Sequence, residues 1–162
     1  MARIATAFGM GVIAHAPRIP LDPGPLAVRF VSLDELFRSA DVVSLNCPLT
    51  TENTGFVNAK LLATMKKGAF LINASRGGLI HEADLASALR AGVIAGAGLD
   101  VVSHEPMRSD NPLLKAPHCI ITPHIAWASL AARKRLVGIV ADNVASFLGG
   151  APINVINKQF LP

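Results

Sequence analysis

An α/β fold built around a parallel sheet is what this sequence predicts, and three observations predict it. Short apolar, β-branched runs alternate with helical patterns along 162 residues, a length that suits one domain with a sizeable core. The helical patterns bring their own capping and stop residues. Three polar islands each follow an apolar run: Asn73-Ala74-Ser75-Arg76-Gly77-Gly78, Gly98-Leu99-Asp100 through His104-Glu105-Pro106, and Thr122-Pro123-His124-Ile125-Ala126-Trp127. Ligands of open α/β sheets bind beyond the strand carboxyl ends, so Arg76, Glu105 and His124 are expected near one crevice.

Taken in order, Met1 to Phe8 reads as a helix with Ile4, Ala5 and Phe8 in a stripe and Gly9 as its stop, but with no capping residue in front. Val12-Ile13-Ala14 is a short strand, and a proline-rich loop runs from Pro17 to Pro25. Val28 to Val31 is the next strand. Ser32 and Glu35 form a capping box, with Val31 and Leu36 as its hydrophobic staple, so a helix is expected from Leu33 to Ala40. Val42 to Asn46 reads as a buried strand that Pro48 ends in a loop through Asn53. Asn58 caps a helix that turns Leu61, Leu62 and Met65 inward, places Lys66 and Lys67 at its negative end and stops at Gly68.

The rhythm repeats with a strand at Ala69 to Ile72 and a helix from about His81 to Ala91, with Leu85, Ala88 and Leu89 on one face and Gly92 closing it. Val93 to Leu99 is a strand in which Gly96 and Gly98 permit close approach by a helix or ligand. Ile120 and Ile121 form the last strand. The final helix, Ser129 to Leu148, carries a core stripe of Leu136, Val140, Val144 and Phe147, and Gly149-Gly150 breaks it.

Composition narrows the function classes. The chain is 51% hydrophobic and only 16% charged, with a mean hydropathy of +0.45. No apolar run approaches the roughly 20 residues that span a bilayer, so the excess is expected at surfaces covered by another domain or subunit. A net charge of +4 with scattered basic residues and no tyrosine gives no nucleic-acid stripe. Met1-Ala2-Arg3 leads into a mixed helix rather than a signal peptide's apolar core, so Cys47 and Cys119 are expected as reduced thiols in the cytoplasm. His15, His81, His104 and His118 show no metal-ligand spacing, and no metal site is expected.

The island residues support a definite chemistry. A guanidinium presents a planar fork that matches a carboxylate, although Arg76 could also be a solvated turn residue. A carboxylate such as Glu105 near an imidazole favours its protonated form, so His124 could donate a proton near neutral pH. Cys47 as a nucleophile has no evident local base.

These islands resemble the D-isomer-specific 2-hydroxyacid dehydrogenase family and its nucleotide-binding domain. The likeness extends from the Phe8-Gly9-Met10 turn, through Cys47-Pro48-Leu49-Thr50, to Gly150-Ala151-Pro152-Ile153-Asn154-Val155, and Pro123-His124-Ile125-Ala126-Trp127 is similar to the glycerate dehydrogenase and hydroxypyruvate reductase branch. The resemblance implies a Rossmann-type doubly wound parallel sheet and hydride transfer between a nicotinamide cofactor and a small 2-keto or D-2-hydroxy acid. It implies that Arg76 holds substrate, that Glu105 and His124 form the acid/base pair, and that a homodimer forms through this domain. Cys47, Pro48, Asn53, Ala74, Ser75, Arg76, Asp100, His124 and Ala126 would line the cofactor, Asp100 through the nicotinamide amide.

Two departures stand out. The family's ribose-gripping acid falls at Ala16, with Arg18 close behind, which points to NADP over NAD. The first strand with its GxGxxG turn is absent, as is the preceding substrate domain. The sheet is therefore expected to be incomplete, with the Val12 and Val42 strands separated, residues 1–149 as the dinucleotide-binding part and 150–162 as a tail returning toward a substrate domain. The other readings are a dinucleotide-sensing corepressor-like protein and an inactive fragment.

Overall fold

The computed structural model describes residues 1–18 and 28–160. The expected Pro17–Pro25 loop lies mostly outside them. In chain order the elements are α1 (Ala2–Ala7), β1 (Ile13–Ala14), β2 (Arg29–Phe30), α2 (Leu33–Ser39), β3 (Val42–Leu45), α3 (Ala59–Leu62), β4 (Phe70–Asn73), α4 (Glu82–Arg90), β5 (Gly96–Leu99), β6 (Cys119–Ile121) and α5 (Leu130–Leu148). Short 3₁₀ turns cover Gly77–Leu79, Pro112–Lys115 and Lys158–Phe160. Contacts group the chain into two compact units, Met1–Pro123 and His124–Pro162.

In the first unit β1 pairs with β2, and β3-β4-β5-β6 form a second sheet, every pairing parallel. No described strand joins the two sheets, so the strands at Val12 and Val42 are separated as expected. Val42, on the free edge of β3, is 42% exposed, whereas Val43, Leu45 and Leu71 are buried against Leu62, Leu85 and Leu89 from α3 and α4. Leu61, Leu62 and Met65 face inward as their spacing requires.

Several elements differ from expectation for local reasons. Ser32 accepts from Glu35 N–H at 3.1 Å, but the Glu35 carboxylate pairs with Arg29 at 2.6 Å instead of completing the capping box. Asn58 caps α3 through Leu61 N–H, yet the helix stops after one turn. Thr64 there donates its hydroxyl to the Leu61 carbonyl, and Lys66 pairs with Asp41 rather than with a helix end. Gly96 makes room for the His118 carbonyl and a β4 side chain, and Gly98 for a β4 side chain, neither for a helix. A Cβ at Gly96 would stand 3.0 Å from the Phe70 ring, and one at Gly98 3.1 Å from Ile72 Cδ1.

In the second unit Ser129 caps α5 by accepting from Ala132 N–H, and the helix closes at Gly149, followed by Gly150 at φ +75°. Asn154 donates to Asn143 at 2.8 Å and lays the tail along the end of α5. The stripe expected in the core is not buried: Leu136, Val140, Val144 and Phe147 are each more than half exposed. The period was right, but a helical stripe becomes core only where another element covers it.

Candidate active site

The four parallel strands of the larger sheet end in one row, because Leu45, Asn73, Leu99 and Ile121 are successive register partners. The residues just after each strand therefore line one edge: Asn46-Cys47, Ala74-Ser75, Asp100 and Thr122. This is the carboxyl edge, where open α/β sheets bind ligands.

The edge is tied together by hydrogen bonds. Ser75 donates its hydroxyl to the Cys47 carbonyl at 2.6 Å, linking the turn after β4 to the loop after β3. Pro48 and Thr50 are held by Asn53, whose amide donates to the Pro48 carbonyl at 2.8 Å and accepts from Thr50 N–H at 2.7 Å. Asn53 thus acts on this loop as its internal brace. Asp100, only 7% exposed, receives the Thr122 hydroxyl, and its N–H donates to Asn73 O at 2.8 Å.

Arg76 stands exposed on a turn that Asn73 builds. The buried Asn73 amide donates to Arg76 O at 2.9 Å and accepts from Ser75 N–H at 3.0 Å, while Arg76 Nη1 donates to Ser75 O at 2.8 Å. The next residue, Gly77, packs on the second island: a Cβ there would fall 1.9 Å from Val102 C and 2.4 Å from Ser103 N. The Arg76 turn and the Glu105 loop are therefore in direct contact, which only glycine permits. Glu105, exposed, accepts from Val102 N–H at 3.3 Å.

His124, Ala126 and Trp127 belong to the second unit and are exposed. His124 has φ +54°, an uncommon backbone state for a residue with a Cβ, and Trp127 Nε1 donates to its carbonyl at 2.9 Å. Beside the smaller sheet Ala16 lines a hollow of about 400 Å³ with His15, Phe30, Val31, Ser32 and Glu35, and Arg18 is exposed. Cys47 and Cys119 are both free thiols. Cys47 follows β3 and Cys119 opens β6, the two edge strands of the larger sheet. Among the described residues no group of three or more His, Cys, Asp or Glu is placed to hold a metal, and no helix is long and apolar enough to cross a membrane.

Sequence reasoning assigned no role to Asn73, Gly77, Glu82, Asn111 or Thr122. Asn73, a buried amide at a strand end before a polar turn, was readable. The partners of Gly77, Glu82 and Thr122 lie 21 or more residues away in sequence and leave no local pattern.

Residues 1–126 match the model of the "D-isomer specific 2-hydroxyacid dehydrogenase, NAD binding domain" family. A hydroxypyruvate reductase of Blautia hydrogenotrophica is 51% identical over 157 residues, covering 96% of this chain and 48% of the relative. A solved D-isomer specific 2-hydroxyacid dehydrogenase of Lactobacillus delbrueckii ssp. bulgaricus, complexed with NAD, is 31% identical at TM-score 0.85, over 96% of this chain and 52% of that one. An acyclic imino acid reductase solved with NADPH and D-Arg is 36% identical at TM-score 0.82, over 96% and 48%. The chain spans about half the length of the curated relatives it matches.

Proposed function

The chain belongs to the D-isomer specific 2-hydroxyacid dehydrogenase family through its NAD binding domain, and from that premise we propose that it is the cofactor half of a two-domain reductase for small 2-keto acids of the glyoxylate or hydroxypyruvate type. The observation that carries this reading is the Gly77 contact, which sets the Arg76 turn directly against the Glu105 loop at the carboxyl edge of the sheet. Residues 150–162 would lead toward the substrate domain.

The residues present fit a nicotinamide: a buried carboxylate, Asp100, stands at a strand end beside hydrogen-bonded turns from two neighbouring strands. Asp100, with Cys47, Pro48, Ala74, Ser75, His124 and Ala126, would hold it, and Asn53 would shape the loop. When bound, the cofactor supplies the hydride to the substrate's carbonyl carbon. Arg76 receives the substrate carboxylate in its fork and polarises the adjoining carbonyl. His124 donates a proton to the carbonyl oxygen and takes it back in the oxidative direction, and Glu105 is the second member of the acid/base pair. At the ribose end Ala16 and Arg18 favour NADP. The acid that lines the hollow there, Glu35, is already paired with Arg29. Assembly as a homodimer would cover the exposed apolar residues of α5, and the same reading places the protein in the cytoplasm.

The test is steady-state reduction of hydroxypyruvate and glyoxylate by the two-domain protein carrying this chain, with NADPH and with NADH. No turnover of either acid with either cofactor would overturn the reading.

A further inference from the structure

Glu82 opens α4, where an acidic side chain is ordinarily explained by the helix dipole. Its carboxylate is used otherwise. One oxygen accepts from Ser103 N–H at 2.7 Å, and the other accepts from the Ser103 hydroxyl at 2.8 Å and from Asn111 Nδ2 at 2.9 Å. Three donors from two distant segments converge on one acid. Asn111 cannot reverse its amide to suit another partner, since its Oδ1 accepts from Leu113 N–H at 2.9 Å and caps the following 3₁₀ turn. The Ser103 N–H is backbone and equally fixed. Only a group with two acceptor oxygens and no donor satisfies all three, which makes glutamate, and not glutamine, the residue this position demands.

What Glu82 holds is the loop that carries Glu105. Gly77 presses on Val102 and Ser103 from the Arg76 turn, Glu82 takes the Ser103 N–H, and the Val102 N–H is left to donate to Glu105 at 3.3 Å. We propose that Glu82 is a positioning residue for this site, clamping the Val102–Glu105 loop so that it keeps a fixed place against the Gly77 turn that carries Arg76. This rests on the proposed function for its catalytic consequence but not for the clamp itself. Glu82 contacts neither substrate nor cofactor and acts through Glu105.

The experiment has two arms. In the 162-residue chain, amide hydrogen exchange at Ser103 should lose roughly tenfold protection in Glu82→Gln, because a charge-assisted bond is replaced by an opposed donor, while the Leu71 and Val43 amides keep theirs. The double variant Glu82→Gln, Asn111→Asp moves the second acceptor across the pair: the new amide donates to the new carboxylate, its oxygen accepts from Ser103 N–H, and protection should return. In the two-domain protein kcat for hydroxypyruvate should fall roughly tenfold in Glu82→Gln, with a larger isotope effect from deuterated cofactor, and recover in the double variant. Should Glu82→Gln fail to fold, Ser103→Ala removes one donor only and should cost roughly threefold in both readouts, with no rescue from Asn111→Asp. Unchanged Ser103 exchange, or an unrescued double variant, overturns the clamp. Lost protection with undiminished kcat overturns its catalytic role. A parent without turnover refutes the proposed function instead, and the exchange arm still decides the clamp.

Discussion

The β1–β2 pair and the β3–β6 sheet are built from similar apolar runs and pair in the same parallel sense, yet β3, β4 and β5 bury residues while β1, β2 and the edge strand β6 bury none. Not one described residue from Met1 to Val31 is buried, whereas Leu62, Leu71, Leu79 and Leu85 are wholly enclosed. The larger sheet has α3 and α4 packed on it and neighbours for each inner strand. Among the described strands, β1 and β2 pair only with each other. Hydrophobic sequence makes a strand possible, and coverage on both flanks makes it core. The division runs through the proposed site: Arg76, Asp100 and Glu105 stand on the consolidated sheet, and Ala16 and Arg18 on the thin one. Reaction chemistry and cofactor choice should therefore respond to mutation independently.

The largest effect belongs to the chemistry. In the two-domain protein His124→Ala should lower hydroxypyruvate turnover by about 100- to 10,000-fold, as expected for a lost general acid, and Glu105→Gln by less because the glutamate transfers no proton itself. Steady-state kinetics with saturating cofactor measures both. Near-parental turnover in His124→Ala would remove the acid/base assignment.

Next comes stability, where the comparison can be broken outright. Leu71→Ala, at a fully enclosed position, should cost about 2–5 kcal/mol, while Ile13→Ala on β1 should cost below about 1 kcal/mol. Urea midpoints with unchanged m-values would measure it. Equal losses would mean that β1 and β2 belong to the same cooperative core.

The order of elements and the three islands were legible because their determinants are local: the Ser32, Asn58 and Ser129 caps and the inward pairs Leu61-Leu62 and Leu85-Leu89. Asp100 at a strand end was legible for the same reason. What escaped was set by distant partners. Nothing near Gly77 announces that Val102 lies against it, nothing near Glu82 announces Ser103 and Asn111, and the α5 stripe has a perfect period with no covering surface. Close approach, carboxylate sharing and coverage are properties of the fold rather than of a window of sequence.

The thin sheet supplies the third prediction. If Ala16 and Arg18 favour a ribose phosphate, the two-domain protein should prefer NADPH by at least about tenfold, since a charge-assisted contact contributes about 1.5–3 kcal/mol. Ala16→Asp should reverse that order without changing the effect of His124→Ala, because the two positions lie on different elements. The ratio of kcat/KM for the two cofactors is the measurement. A parent that favours NADH, or an Ala16→Asp variant that loses both cofactors equally, would show that the loop after β1 is not where the choice is made.

The smallest effect tests how closed the consolidated sheet is at its far edge. Cys119 opens β6, and burial pushes its thiol above the ordinary range. A raised folded-state value means that the native protein holds this proton more tightly than the unfolded chain does. The contribution to stability is then complete below the unfolded thiol's value, about 8.5, and is lost as pH rises through the folded one. Two observations should agree. Iodoacetamide should label Cys119 more slowly than glutathione at pH 8, and Cys119→Ala should flatten the decline in urea midpoint between pH 8 and pH 10. Labelling as fast as glutathione would mean that the β6 edge opens readily and that the consolidated part of the sheet is confined to β3, β4 and β5.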